Sequence, residues 1–338
     1  MSELSDDKFQ NLIDIYIRGK IEMGRSRSKV AKLRRKKKRL SWSTFQESLT
    51  DTQFRRMYRM NRRMFLGLCN LIESKVGTDE FKSERYLETL ADQNSPVGRM
   101  SRANDATTSG YISGEVKVAI TLRLLGGGSY LDLFLIYNIF QTHAYKIFHE
   151  TLSNWICNDE IFSINGEEYL NDLDKMKEVA KGFGMNCRCG SFKGCIGAVD
   201  GWLVKISQPC RRDGVTQPGD FFSRKGFFAI NVQVIVDRYK RVLYKSILCR
   251  GAEHDSSAFK ASDLYPVLME KRKLLEEEGL YFIGDSAYAL RSFLVTPYDN
   301  AVHGDGEDNF NFYHSSSRIV VECTFGKIDM RWGIFGNR

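Results

Sequence analysis

The chain has 338 residues, 42% of them apolar, and this length leaves room for about two or three domains with sizeable cores. The apolar fraction excludes a wholly disordered chain. Eight cysteines in a chain of this length do not make a disulfide-dense pattern, and no apolar run approaches the roughly 20 residues of a membrane span. The polar start MSELSDDKFQ predicts no secretory signal, so we expect an intracellular protein without a membrane partner.

The formal net charge of +8 comes from one segment, the basic arm at residues 25–39. The arm has ten basic residues and no acidic one, and outside it the two kinds of charge nearly balance. Such an arm is typical of a nuclear import signal or of a tail that binds phosphate groups, and a merely solvated run is the alternative. The candidates for these contacts are Arg34, Arg35, Lys36, Lys37, Lys38 and Arg39. We expect residues 1–45 to form a disordered basic extension.

Residues 46–185 are predicted to form an all-α region. The segment at 77–112 is polar and is predicted to be a long loop. After it, apolar spacing and glycine breaks predict three short helices at 114–125, 129–137 and 141–155. Their tight succession resembles a helix-turn-helix, and an ordinary helical bundle is the alternative.

From about residue 190 the pattern changes to strands, and we expect an α/β domain over residues 190–338. An apolar run at 195–206 is followed by an alternating strand at 230–236 and a returning strand at 242–248. The elements predicted after this hairpin are a helix at 256–273, short strands at 280–284 and 294–297, and a helix at 315–334. This order predicts a mixed sheet with helices packed on its faces.

Three carboxylates stand out by their surroundings. Asp200 interrupts the apolar strand, where a lone charge costs several kcal/mol unless it is paired or bound to a metal. Asp285 follows a short buried strand, at the edge of an α/β sheet where ligands bind. Glu322 lies among apolar residues of the last predicted helix.

If the three acids converge, their oxygens suit Mg²⁺. Two such ions about 4 Å apart activate the attacking oxygen and stabilise the leaving oxygen in phosphodiester displacement. The alternative is structural: Asp200 accepts hydrogen bonds, Asp285 caps a turn, and Glu322 pairs with Arg318 one helical turn earlier.

Four motifs in the same order carry a resemblance to a known family. They read GAVDGWLVKI, GAEHDSSAF, FIGDSAYAL and SSSRIVVECTFGKIDMRWGIF. Together with ITLRLLGGGSY in the helical region, they resemble PIF/Harbinger transposases, a family of the DDE superfamily endonucleases. The resemblance covers roughly residues 55–338, and the gaps of 84 and 36 residues between the three acids suit the family.

The resemblance implies an RNase H-like fold in which Asp200, Asp285 and Glu322 are both the catalytic triad and the metal ligands. It further implies a nuclear enzyme that cuts DNA at transposon ends and joins them to target DNA with two Mg²⁺ ions, which Mn²⁺ can replace. His254, Asp255 and Arg318 are candidates for supporting roles, and a helix N-terminus is the alternative for His254 and Asp255. The partners implied are DNA, a Myb/SANT-like accessory protein and a second copy of the chain.

The resemblance also has one departure. The chain ends 16 residues after Glu322, whereas members of the family usually continue further, so we expect a catalytic domain truncated at its C-terminus. This expectation keeps a second hypothesis open, in which a domesticated or decayed derivative binds DNA or a protein in the nucleus without catalysis.

Overall fold

The computed structural model describes residues 42–76, 112–137, 139–156, 166–186 and 192–335. Contacts divide the chain into two compact units. The described part of the first, which we call the helical unit, is residues 42–156 with 329–335, and that of the second, the sheet unit, is residues 166–328. The boundaries that we predicted at 46–185 and 190–338 stay a prediction, because residues 157–165 are not described.

The helical unit contains six described helices. They are α1 (Trp42–Ser48), α2 (Asp51–Tyr58), α3 (Arg62–Val76), α4 (Gly114–Leu125), α5 (Tyr130–Tyr137) and α6 (Gln141–Ile156). The last three follow the bounds predicted for the helix-turn-helix-like segment within one residue. Most of the basic arm's extension and of the predicted loop at 77–112 lies outside the described residues.

An aromatic cluster forms the centre of the helical unit. Tyr58 and Tyr137 are buried, and their hydroxyl groups lie 2.5 Å apart. Trp42 contacts the Tyr58 ring edge-on at 6.0 Å, and Phe45 contacts the Tyr137 ring in the same way. Residues 42–45, which we expected to be disordered, are therefore helical because their two aromatic rings pack into this cluster.

The sheet unit contains five strands in the order β3-β2-β1-β4-β5. They are β1 (Cys195–Lys205), β2 (Ala229–Val236), β3 (Val242–Arg250), β4 (Tyr281–Ile283) and β5 (Leu294–Val295). The first three are antiparallel neighbours, whereas β1–β4 and β4–β5 are parallel pairs. This mixed sheet with flanking helices is consistent with the RNase H-like fold, so the predicted fold class is confirmed.

Six described helices flank the sheet. They are α7 (Gly166–Asn171), α8 (Leu173–Asn186), α9 (Asp255–Lys260), α10 (Leu264–Glu270), α11 (Arg272–Glu277) and α12 (Gly306–Arg331). Within the described residues, no helix is long and apolar enough to span a membrane.

Two helix predictions were wrong in their bounds. The single helix that we predicted at 256–273 is three short helices, α9 to α11. Pro266 lies in the first turn of α10, where its missing N–H group costs nothing because that turn has no partner for it. Helix α12 begins at Gly306 rather than at residue 315, and Asn311 in its first part exchanges two hydrogen bonds with the backbone of Tyr298.

The core of the sheet unit predicts which side chains cannot be shortened without a loss of unfolding free energy. Phe282 on β4 is 1% exposed, so Phe282→Ala removes a fully buried ring next to the central strand. We expect this variant to lose about 3–5 kcal/mol of unfolding free energy in urea titrations. The matched control is Phe312→Ala on α12, where the ring is 65% exposed and the expected change is within about 0.5 kcal/mol. Equal losses in both variants would contradict the assigned core.

Candidate active site

Strand register brings Asp200 and Asp285 to the same edge of the sheet. In the parallel pair of β1 and β4, Ala198 lies opposite Ile283, and each aspartate follows two residues later. Gly284 allows this approach, because a Cβ atom there would lie 3.1 Å from the Val199 side chain and 3.0 Å from Tyr288. The two acids therefore lie side by side where the two strands point in the same direction.

Helix α12 supplies the third acid and a cation. Glu322 and Arg318 lie one helical turn apart, and the Arg318 Nη2 group donates a 2.7 Å hydrogen bond to Glu322 Oε1. The other guanidinium nitrogen, Nη1, donates to Asp200 Oδ2 at 3.1 Å. Arg318 therefore pairs with two of the three acids at once.

Burial differs sharply among these groups. The side chain of Asp200 is 14% exposed and that of Arg318 is 19% exposed, whereas that of Glu322 is 53% exposed. Burial raises the pKa of Asp200 from 3.8 to about 6, Arg318 opposes that rise, and the neighbouring charge of Asp285 adds to it. Burial therefore favours the neutral form of Asp200, whereas the guanidinium group of Arg318 favours the ionised form.

Backbone N–H groups orient two of the carboxylates. The N–H group of Gly201 donates to Asp200 Oδ1 at 2.8 Å, and that of Ala287 donates to Asp285 Oδ1 at 2.9 Å. Together with the pair of Glu322 and Arg318, these are the contacts that the structural alternative named. They leave further carboxylate oxygen capacity on each acid, because an ionised carboxylate has about four acceptor positions.

The described residues contain no group of three or more His, Cys, Asp or Glu side chains that are close enough to hold a metal ion. At the three acids, the Arg318 guanidinium lies between Asp200 and Glu322 and donates a hydrogen bond to each. The donor set nevertheless fits a hard divalent cation, since all three side chains offer carboxylate oxygens and two already bind one positive group.

The remaining predicted residues are placed differently. Asp255 is buried at the start of α9, as the helix N-terminus alternative predicted, and its carboxylate accepts hydrogen bonds from Asn231 and Arg224. His254 is exposed at the N-cap position and lines a shallow pocket with Arg224 and Asp255. Residues 34–39 of the basic arm lie outside the described residues.

Sequence reasoning missed three polar residues near the acids. Asn231 and Gln233 were the polar positions of an alternating strand, yet each is 1% exposed. Tyr288 is 4% exposed and follows Asp285 by one turn. The available signal was the run AINVQVIV itself, because two amides in a strand this apolar need buried partners.

Comparison with known proteins gives two similarities. The family model described as DDE superfamily endonuclease matches residues 199–338, which include all three acids. The chain is also similar to the protein called ALP1-like from Arabidopsis thaliana, at 23% identity over 293 residues. That alignment covers 83% of this chain and 63% of the relative, so the chain spans less than two thirds of the relative's length. No solved structure matches the chain significantly.

The raised pKa of Asp200 predicts a pH-dependent stability. The folded protein holds the Asp200 proton more tightly than the unfolded chain, so this stabilisation is complete below pH 3.8 and is lost as pH rises through about 6. The difference amounts to about 3 kcal/mol. We expect the unfolding free energy of the wild type to fall by about this amount relative to Asp200→Asn between pH 4 and pH 7, as measured by urea titration.

The control for this measurement is Asp299→Asn, because Asp299 is exposed. Its stability difference from the wild type should stay flat over the same pH range. Parallel curves for the wild type and Asp200→Asn would show that Asp200 ionises as it does in the unfolded chain.

Proposed function

We propose that this chain, which is similar to the DDE superfamily endonucleases over residues 199–338, cuts phosphodiester bonds of DNA with divalent metal ions at Asp200, Asp285 and Glu322. The finer proposal is a Harbinger-type transposase that cuts at transposon ends and joins them to target DNA. The observation that supports the proposal is the register of β1 and β4, which brings Asp200 and Asp285 to the same edge of the sheet. Glu322 is linked to Asp200 through the guanidinium group of Arg318, which donates a hydrogen bond to each.

We assign the metal ligands to the three carboxylates. When bound, two Mg²⁺ ions supply charge stabilisation for the attacking and leaving oxygens of the displaced phosphodiester, and Mn²⁺ can replace them. Asp200 has to be ionised for this role, and Arg318 favours its ionised form against the cost of burial. The N–H groups of Gly201 and Ala287 each hold one carboxylate oxygen, so the rotamers of Asp200 and Asp285 are fixed before any ligand arrives.

The partners follow from the same proposal. DNA is the substrate, and residues 34–39 of the basic arm are proposed to contact its phosphates or to direct the protein into the nucleus. A Myb/SANT-like accessory protein and self-association remain predictions from the family resemblance. His254 is exposed on the rim of its pocket and is proposed as a DNA contact.

The proposal predicts the same loss in three variants. Asp200→Asn, Asp285→Asn and Glu322→Gln each remove one proposed metal ligand while keeping the shape of the side chain. Replacing a residue that only orients a metal ligand typically lowers metal affinity or activity by roughly 10–100-fold. Loss of a ligand itself should therefore lower the rate of DNA cutting by at least about 100-fold. The measurement is nicking of a supercoiled plasmid in Mn²⁺, combined with Mn²⁺ binding by calorimetry, which needs no knowledge of the transposon ends.

The matched control is Glu277→Gln, which changes an exposed carboxylate of α11 in the same unit and should leave both readouts unchanged. Circular dichroism confirms that each variant is folded. Retained cutting in any one of the three site variants contradicts the role assigned to that residue. A wild-type chain that binds Mn²⁺ and DNA but never cuts would support the non-catalytic alternative.

A further inference from the structure

A buried polar network lies under the candidate active site. Asn231 and Gln233 are neighbours on the same face of β2, all eight residues of which are buried. The Gln233 Nε2 group donates to Asn231 Oδ1 at 2.9 Å, and Asn231 Nδ2 donates to Asp255 Oδ1 at the same distance. An apolar pair would fill this strand without any need for partners, so the amides have a purpose other than burial.

Asp255 joins this network to the strand that carries Asp200. Its carboxylate accepts hydrogen bonds from Asn231 and, at 3.2 Å, from Arg224 Nη2. It also lies directly against Gly201, where a Cβ atom would overlap with Asp255 Oδ1. The network therefore contacts β1 at the residue after Asp200.

Tyr288 joins the other end of the network to the turn that carries Asp285. Its hydroxyl group donates to Gln233 Oε1 at 2.7 Å. Its backbone N–H group donates to the carbonyl oxygen of Asp285 at 3.2 Å. Its ring also packs against that of Phe259 of α9 in a T-shaped arrangement, with the centroids 5.7 Å apart.

We infer that Tyr288, Gln233 and Asp255 are positioning residues that hold the Asp285 turn at a fixed place relative to Asp200. The chain of contacts runs from the Asp285 turn through Tyr288 and Gln233 to Asp255, and from there to Gly201 on β1. β4 is only three residues long, so strand pairing alone gives the Asp285 turn little support. The catalytic part of this inference rests on the proposed function, whereas the mechanical part does not.

The test compares two buried tyrosines that differ in their place. Tyr288→Phe removes the hydroxyl group bonded to Gln233. Tyr244→Phe is the matched control, because Tyr244 is also buried, at 2% exposed, and its hydroxyl group also donates to a side chain, that of Asp263. Backbone hydrogen exchange at Gly201 and Ala287, measured by NMR on the full chain, reports the two ends of the network. Calorimetry with Mn²⁺ alone reports the metal site.

We expect Tyr288→Phe to speed exchange at Ala287 about five-fold relative to Tyr244→Phe, which is the ratio for one net hydrogen bond. A similar loss of Mn²⁺ affinity should follow. Gln233→Met removes the same bond from the other side together with the bond from Gln233 to Asn231, so adding Tyr288→Phe to Gln233→Met should change exchange at Ala287 little further. A merely structural role would move global stability in both tyrosine variants without this local difference.

Each outcome decides the inference. Equal exchange at Ala287 in the two tyrosine variants overturns it, whatever the metal does. Faster exchange in Tyr288→Phe with unchanged Mn²⁺ affinity overturns its catalytic part. If the wild type itself binds no Mn²⁺, the proposed metal site fails, and exchange still decides whether the network holds the Asp285 turn.

Discussion

Asp200 carries a charge into the central strand of the sheet, and the surrounding structure depends on how that charge is balanced. Asp200 pairs with Val234 of β2, and its side chain is only 14% exposed, so water has little access to the carboxylate. Arg318 supplies the balancing charge from α12, and the same guanidinium binds Glu322. This interaction thus helps to hold helix α12 against the sheet, with Glu322 on the same side of the helix as the contact to Asp200.

The two faces of the central strand β1 contact different parts of the sheet unit. On one side, Asp200 and Trp202 point toward α12, where Trp202 stacks on Phe325 with the ring centroids 5.5 Å apart. On the other side, Gly201 leaves space for the Asp255 carboxylate. Alternation along a strand places successive residues on opposite faces, so a single dipeptide, Asp200-Gly201, serves both the candidate site and the network beneath it.

Much of the fold could be predicted from the sequence, because it depends on local patterns, whereas the approach of Asp200 to Asp285 was expected only from the family resemblance. The apolar runs predicted β1 and β4, and parallel neighbours bring residues after their ends together, as for Asp200 and Asp285. Gln233 shows what the pattern cannot predict. Alternation along a strand predicts that one face is polar, but it does not predict whether a helix covers that face. Here α9 does, and Gln233 is buried. The early start of α12 was missed for a similar reason, because Asn311 is held there by the distant backbone of Tyr298.

The charges at the acids also explain how a carboxylate is accommodated in the central strand. Burial disfavours the charge of Asp200, and the neighbouring charge of Asp285 adds to this cost. Arg318 offsets part of this cost, and the same guanidinium also pairs with Glu322. A guanidinium carries one charge and binds from one helix, whereas a hard divalent ion carries two and takes six or more oxygen ligands. The two Arg318 ion pairs are therefore contacts with which a divalent ion at these acids would compete.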